Sequence, residues 1–221
     1  MKKTGLIVLL VLLVKFVNAS VIYQDDFNGP RKELLNGAAP DVRPGSEVWA
    51  TDNRNFDYSW KRNGSAYGNS PANSSAALPF TVETGKIYTL TADFTLENFN
   101  PSNPGWAGIS FCTSGDQLEY APDKNSFARL YAQRNGNVTA AQSGWHERAS
   151  LFSGGDVKLS IVLKTTGEQW DLEYWLDGSL FASSAVSAIA ESGSTLYIKF
   201  GLYRTVGKVS CKNLVLSVDG L

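Results

Sequence analysis

The sequence predicts an all-β sandwich of two antiparallel sheets. Three observations predict it. Apolar and polar residues alternate over runs of roughly seven to ten residues, the period of a half-buried strand. Turn signals rich in Gly, Asn and Asp punctuate those runs, as in Glu83-Thr84-Gly85, Asn135-Gly136-Asn137, Ser153-Gly154-Gly155 and Asp177-Gly178. Beyond the first residues, no segment keeps a helical period for more than about two or three turns.

The N-terminus reads as a secretory signal peptide spanning residues 1–19. Lys2 and Lys3 are the basic flank, Leu6 to Val14 is an unbroken apolar run, and Val17-Asn18-Ala19 sets small residues before a cleavage point at Ser20. The run is shorter than the roughly 20 residues that cross a bilayer. Residues 20–221 then form a single secreted domain, extracellular or periplasmic, large enough to bury a core without staples. The whole chain has a net charge of −1 and 19% charged residues; losing Lys2, Lys3 and Lys15 makes it more acidic. With no basic block, nucleic acid is a poor partner. A single histidine, His146, removes multi-histidine metal and dyad chemistry.

Along the chain, 21–27 is the first strand. The stretch 28–77 is polar and loop-like. It carries Trp49, Tyr58, Trp60 and Tyr67, which serve either a binding surface or an arm that wraps the sandwich. Strands follow at 78–83 and over Ile87 to Leu96, where Tyr88, Leu90, Ala92, Phe94 and Leu96 share one face. Next come 106–112 and 127–133, in which Arg129, Tyr131 and Gln133 lie opposite Leu130 and Ala132. Ser143 to Glu147, with His146, reads as an exposed polar turn. Val157, Leu159, Ile161 and Leu163 mark another strand, and Asp177-Gly178 joins strands 168–176 and 179–183 as a two-residue hairpin. Residues 184–191 suit one short helix. Leu196, Ile198, Phe200 and Leu202 alternate with Tyr197, Lys199, Gly201 and Tyr203, and 208–218 closes the chain.

Several segments resemble, in order, the concanavalin A-like lectin/glucanase superfamily, and within it the LamG-like jelly-roll domains of secreted bacterial proteins. They are Tyr23-Gln24-Asp25-Asp26-Phe27-Asn28-Gly29, Thr89-Leu90-Thr91-Ala92-Asp93-Phe94, Gly105-Trp106-Ala107-Gly108-Ile109-Ser110-Phe111, Tyr174-Trp175-Leu176-Asp177-Gly178 and Lys212-Asn213-Leu214-Val215-Leu216-Ser217-Val218. The resemblance implies a jelly roll of two antiparallel sheets, carbohydrate binding and, in some members, a structural calcium. Glucanases of the superfamily carry catalytic carboxylates on one strand. The matching run here, Glu168-Gln169-Trp170-Asp171-Leu172-Glu173, spaces its first pair by three, so Asp171 and Glu173 share a face and Glu168 does not. The expectation is therefore a non-catalytic module that binds a glycan or polysaccharide. The alternatives are a structural or adhesive protein that meets other proteins, and a glycoside hydrolase using Asp171 and Glu173.

A sugar site needs aromatic rings and planar polar groups on one face. The candidates are Arg129, Tyr131, Gln133, Trp175, Tyr197 and Tyr203. If the first and last strands pair, Asp25 and Asp26 with Asn213 or Asp219 can offer oxygens to calcium, which takes six to eight. Cys112 and Cys211 either form a disulfide, which secretion would permit, or stay as two buried thiols.

Overall fold

The computed structural model describes residues 19–29, 33–51, 61–62, 64–68, 74–96, 105–115, 125–142, 144–151, 154–203 and 209–220, so the signal-like segment, Tyr58 and Trp60 lie outside the described residues. The strands are β1 (Ser20–Asp25), β2 (Glu33–Leu34), β3 (Ala50–Thr51), β4 (Lys61–Arg62), β5 (Ala66–Gly68), β6 (Ser74–Thr81), β7 (Lys86–Leu96), β8 (Trp106–Cys112), β9 (Ser126–Gln133), β10 (Asn137–Gln142), β11 (Trp145–Ser150), β12 (Gly155–Lys164), β13 (Gln169–Leu176), β14 (Ser179–Ser187), β15 (Thr195–Tyr203) and β16 (Val209–Gly220). They form two sheets. The large sheet has nine strands in the order β14-β13-β12-β7-β16-β5-β4-β2, with β1 also on β16. The small sheet has seven, ordered β11-β10-β9-β8-β15-β6-β3. All pairings are antiparallel, as the alternation predicts.

The alternating apolar sets meet between the sheets. Tyr88, Leu90, Ala92, Phe94 and Leu96 of β7 and Val157, Leu159, Ile161 and Leu163 of β12 are buried from one side. Ile109, Phe111, Leu130, Ala132, Ile198 and Phe200 close the core from the other. Each such leucine, isoleucine or phenylalanine contributes about 1.5–3 kcal/mol by leaving water. The Tyr23 hydroxyl crosses the layers and donates to the Pro79 carbonyl at 2.5 Å, and burial raises its pKa. Trp49 resolves the open reading of the polar stretch at that residue. It is buried against Phe200 and Phe27, with ring centroids at 5.1 and 5.9 Å, so this part of the arm packs into the sandwich.

The Asp177-Gly178 hairpin forms as the sequence predicts, with φ of 48° and 79° suiting a turn of the mirror-image type. Two expectations change, and one open alternative is decided. Residues 184–187 continue β14 rather than starting a helix, because Ser184, Ala185, Val186 and Ser187 pair with β13 and that ladder outweighs a weak local preference. The segment at His146 is strand β11, paired with β10 from Gln142↔Trp145 to Asn137↔Ser150. Its turn is confined to the connection, where Gly144 takes φ 74°. Finally, Cys112 and Cys211 are free. Cys112 sits on the small sheet beside the hydroxyls of Ser110 and Ser126, 3.3 Å from each, whereas Cys211 sits on β16 of the large sheet within the core. Packed sheets lie about 10 Å apart, beyond the roughly 7 Å limit between the Cα atoms of a disulfide. Burial, aided by Asp25 and Asp93, pushes the Cys211 thiol well up, which makes it a hydrophobe rather than a nucleophile.

Candidate functional site

The outer face of the small sheet carries a groove of about 420 Å3 over β9, β10 and β11. Parity explains its lining. Leu130 and Ala132 point into the core, so Arg129, Tyr131 and Gln133 project outward. Arg129 pairs with Ala141 and Tyr131 with Thr139 across β10, and His146 and Arg148 of β11 continue those rows. Trp145 also lines the groove and stacks on Tyr174 of the large sheet at 5.8 Å. Burial, its main influence, pushes the Tyr174 phenol up to about 12.

Aromatic and polar chemistry alternate here. The Trp106 and Tyr131 rings lie 5.4 Å apart, and the Arg129 guanidinium carbon sits 5.1 Å from the Tyr131 ring centroid. Gly108 lies opposite Tyr131 on β8, where a Cβ would come within 2.5 Å of the Tyr131 Cβ. Arg129 is only 8% exposed and Thr139 4%, yet Arg129 Nε and Thr139 Oγ1 are buried without hydrogen-bond partners. Each such orphan costs about 1–3 kcal/mol unless something else reaches it. Arg148 donates to Gln133 Oε1 at 3.2 Å.

Of the residues the sequence nominates, Arg129 and Tyr131 line the groove and Gln133 adjoins it through Arg148. Tyr197 shares the sheet face two strands away, on β15, where its half-buried ring packs under Gly115. Tyr203 ends β15 opposite Trp106, and its side chain is outside the described residues. Trp175 is a correction. It belongs to β13 of the large sheet and cannot share a face with Arg129. Its alternation is right, but periodicity does not say which sheet a strand joins. Trp106, Thr139, His146 and Arg148 went unnominated. The Asn135-Gly136 turn precedes, and the Gly144 break divides, the hairpin that supplies the last three.

Solved structures share this architecture. An endo-1,3-beta-glucanase from Streptomyces sioyaensis superposes with a TM-score of 0.64 at 9% identity, over 92% of this chain and 97% of that one. The chain has the concanavalin A-like lectin/glucanase fold. The carbohydrate recognition domain of Emp47p matches with a TM-score of 0.54 at 13% identity, over 91% of this chain and 96% of that one. That of Emp46p, in its potassium-bound form, matches with 0.57 at 14%, over 78% and 89%. No family model matches the sequence, and no curated protein matches it.

On this lectin/glucanase fold, Asp171 and Glu173 face outward from the large sheet, away from the groove. Glu173 forms an ion pair with Lys164 and accepts from Trp175 Nε1 at 3.3 Å. The carboxylates nominated for calcium do not converge. Asp25 is buried and accepts from Phe27 N at 2.7 Å and Trp49 Nε1 at 2.6 Å. Asn213 donates to Asp93 at 2.7 Å, near the Asp25↔Leu214 pair. Asp219 lies at the other end of β16, about 20 Å along the strand. Among the described residues, no group of three or more His, Cys, Asp or Glu is placed to hold a metal ion.

Proposed function

We propose that this protein is a secreted, non-catalytic carbohydrate-binding module that holds a glycan on the outer face of its small sheet. The observation that carries the reading is the groove itself. Tyr131, with the Trp106 ring 5.4 Å away, stands beside two buried polar atoms, Arg129 Nε and Thr139 Oγ1, that lack protein partners. A sugar ring offers both halves of the match: C–H faces for the rings and hydroxyls that donate and accept. Carbohydrate recognition domains and a glucanase among the solved structures of this fold support the same substrate class. Secretion rests on the layout of residues 1–19.

The hydrolase alternative has less support, because Glu173 is engaged by Lys164 and both carboxylates lie on the far sheet. A glycan array probed with the purified protein, with and without chelator, tests the proposal. Binding that Tyr131→Ala abolishes is the expected result. Silence across the array, with concentration-dependent self-association, would favour the structural reading. Release of reducing ends that stops in Glu173→Gln would favour hydrolysis.

A further inference from the structure

Resting on that reading, we infer that the glycan bound in the groove is anionic, a saccharide carrying carboxylate or sulfate groups. The sheet register supplies the argument. Lys199 pairs with Ser110, Ser110 with Arg129, Arg129 with Ala141 and Ala141 with His146. One transverse line therefore sets Arg129 and His146 at the groove and ends on Lys199, which is buried and already engaged. At about 4.8 Å per strand the line runs for roughly 19 Å. The neighbouring line, Gly108, Tyr131, Thr139 and Arg148, adds a second guanidinium.

Among the described strand residues, none that projects from this face is a carboxylate. The seven strands of the small sheet contain one acidic residue, Glu147, and it alternates with His146 and Arg148 to the opposite side. Arg148 meets a neutral amide, Gln133. Arg129 lies over a tyrosine ring, and its buried Nε has no acceptor. A guanidinium presents a planar edge of N–H groups, which matches the paired oxygens of a carboxylate or sulfate better than a single hydroxyl. An anion bridging Arg129 and Arg148 would occupy the groove, and the Tyr131 ring would take the saccharide face.

Calorimetric titration of the purified protein with two matched pairs tests this. One pair is tetragalacturonate and its carboxyl-reduced form; the other is a carrageenan-derived tetrasaccharide and its desulfated form. At least one anionic member is expected to bind, with its neutral counterpart weaker by tenfold or more (about 1.4 kcal/mol) and with affinity falling as salt rises. The pair that discriminates identifies the anion. Arg148→Gln, at an exposed residue, should weaken the anionic member about tenfold and so narrow its advantage over the neutral one; Arg129→Gln should act alike if it folds. Equal binding of both members would overturn the inference while leaving glycan binding intact. So would failure of both pairs alongside a neutral ligand on the array. Silence in both experiments would remove the underlying reading as well.

Discussion

The two outer faces of the sandwich handle charge in opposite ways. On the large sheet, acids and bases interleave and neutralise one another. Lys158 lies opposite Asp93, Lys164 lies opposite Asp171 and pairs with Glu173, Thr95 donates to Asp156 and Asn213 to Asp93. Even the depression of about 320 Å3 on this face is lined by Asp93, Asp156 and Asp177 together with Lys158 and Lys212. On the outer face of the small sheet the charged side chains of the described strands are basic, Arg129 Nε and Thr139 Oγ1 are buried without partners, and aromatic rings stand among them; on the large sheet Asp219 Oδ1 of β16 is likewise buried without a partner. A face built for solvent satisfies its own polar groups. On the small sheet the open atoms, Arg129 Nε and Thr139 Oγ1, sit together in one groove beside an aromatic ring, which is the contrast the proposed glycan site rests on.

Mutations can break this contrast, and the largest effect belongs to the large sheet. Asp25→Ala should lower the unfolding free energy by about 3 kcal/mol in denaturant melts, because Phe27 N and Trp49 Nε1 both lose a buried acceptor. Unchanged stability with lost calcium binding would instead make Asp25 a metal ligand. Next comes the layer where the sheets meet. Tyr174 is buried and its phenol is pushed up to about 12. The unfolded phenol ionises from about pH 10, so this stabilisation is complete below pH 10 and is lost as pH rises toward 12. Stability should fall by up to roughly 2–3 kcal/mol over that window through Tyr174, and Tyr174→Phe should fall less. The raised phenols of Tyr23 and Tyr88 add to the wild-type loss in the same direction.

Smaller effects separate the two faces more sharply. Thr139→Val removes an orphaned hydroxyl with little change of shape, so it should raise stability by about 1 kcal/mol while weakening the ligand. A loss of stability would mean that the hydroxyl already has a partner. On the large sheet, a double-mutant cycle on Lys164 and Glu173 should give a coupling below about 1 kcal/mol, since both side chains remain partly in water. Glu173→Gln should leave glycan affinity unchanged.

Much of this was legible in the sequence, and the boundary of legibility has a physical origin. Alternation is local, so the faces of β7, β9, β12 and β15 follow from the chain alone, and Arg129 and Tyr131 fall on the same outer face as expected. Sheet membership is not local. Strand β8 pairs with its neighbour β9 on one side but with β15, far along the chain, on the other, and nothing within Trp106–Cys112 names it. The same blindness put Trp175 with Arg129 and left a Cys112–Cys211 bridge open. Strand β10, Asn-Val-Thr-Ala-Ala-Gln, escaped notice because alanine is a weak strand former and the burial of Ala140 and Ala141 depends on neighbours. Thr139, His146 and Arg148 went unnominated with that hairpin.

The central claim is that the small sheet's outer face is where a glycan binds. Titrating an array-identified oligosaccharide against wild type, Tyr131→Ala and Trp175→Ala tests it most directly, because the two variants remove one aromatic ring from each outer face. The account predicts that Trp175→Ala binds like wild type and that Tyr131→Ala loses tenfold or more, about 1.4 kcal/mol. Binding lost in Trp175→Ala and kept in Tyr131→Ala would contradict it.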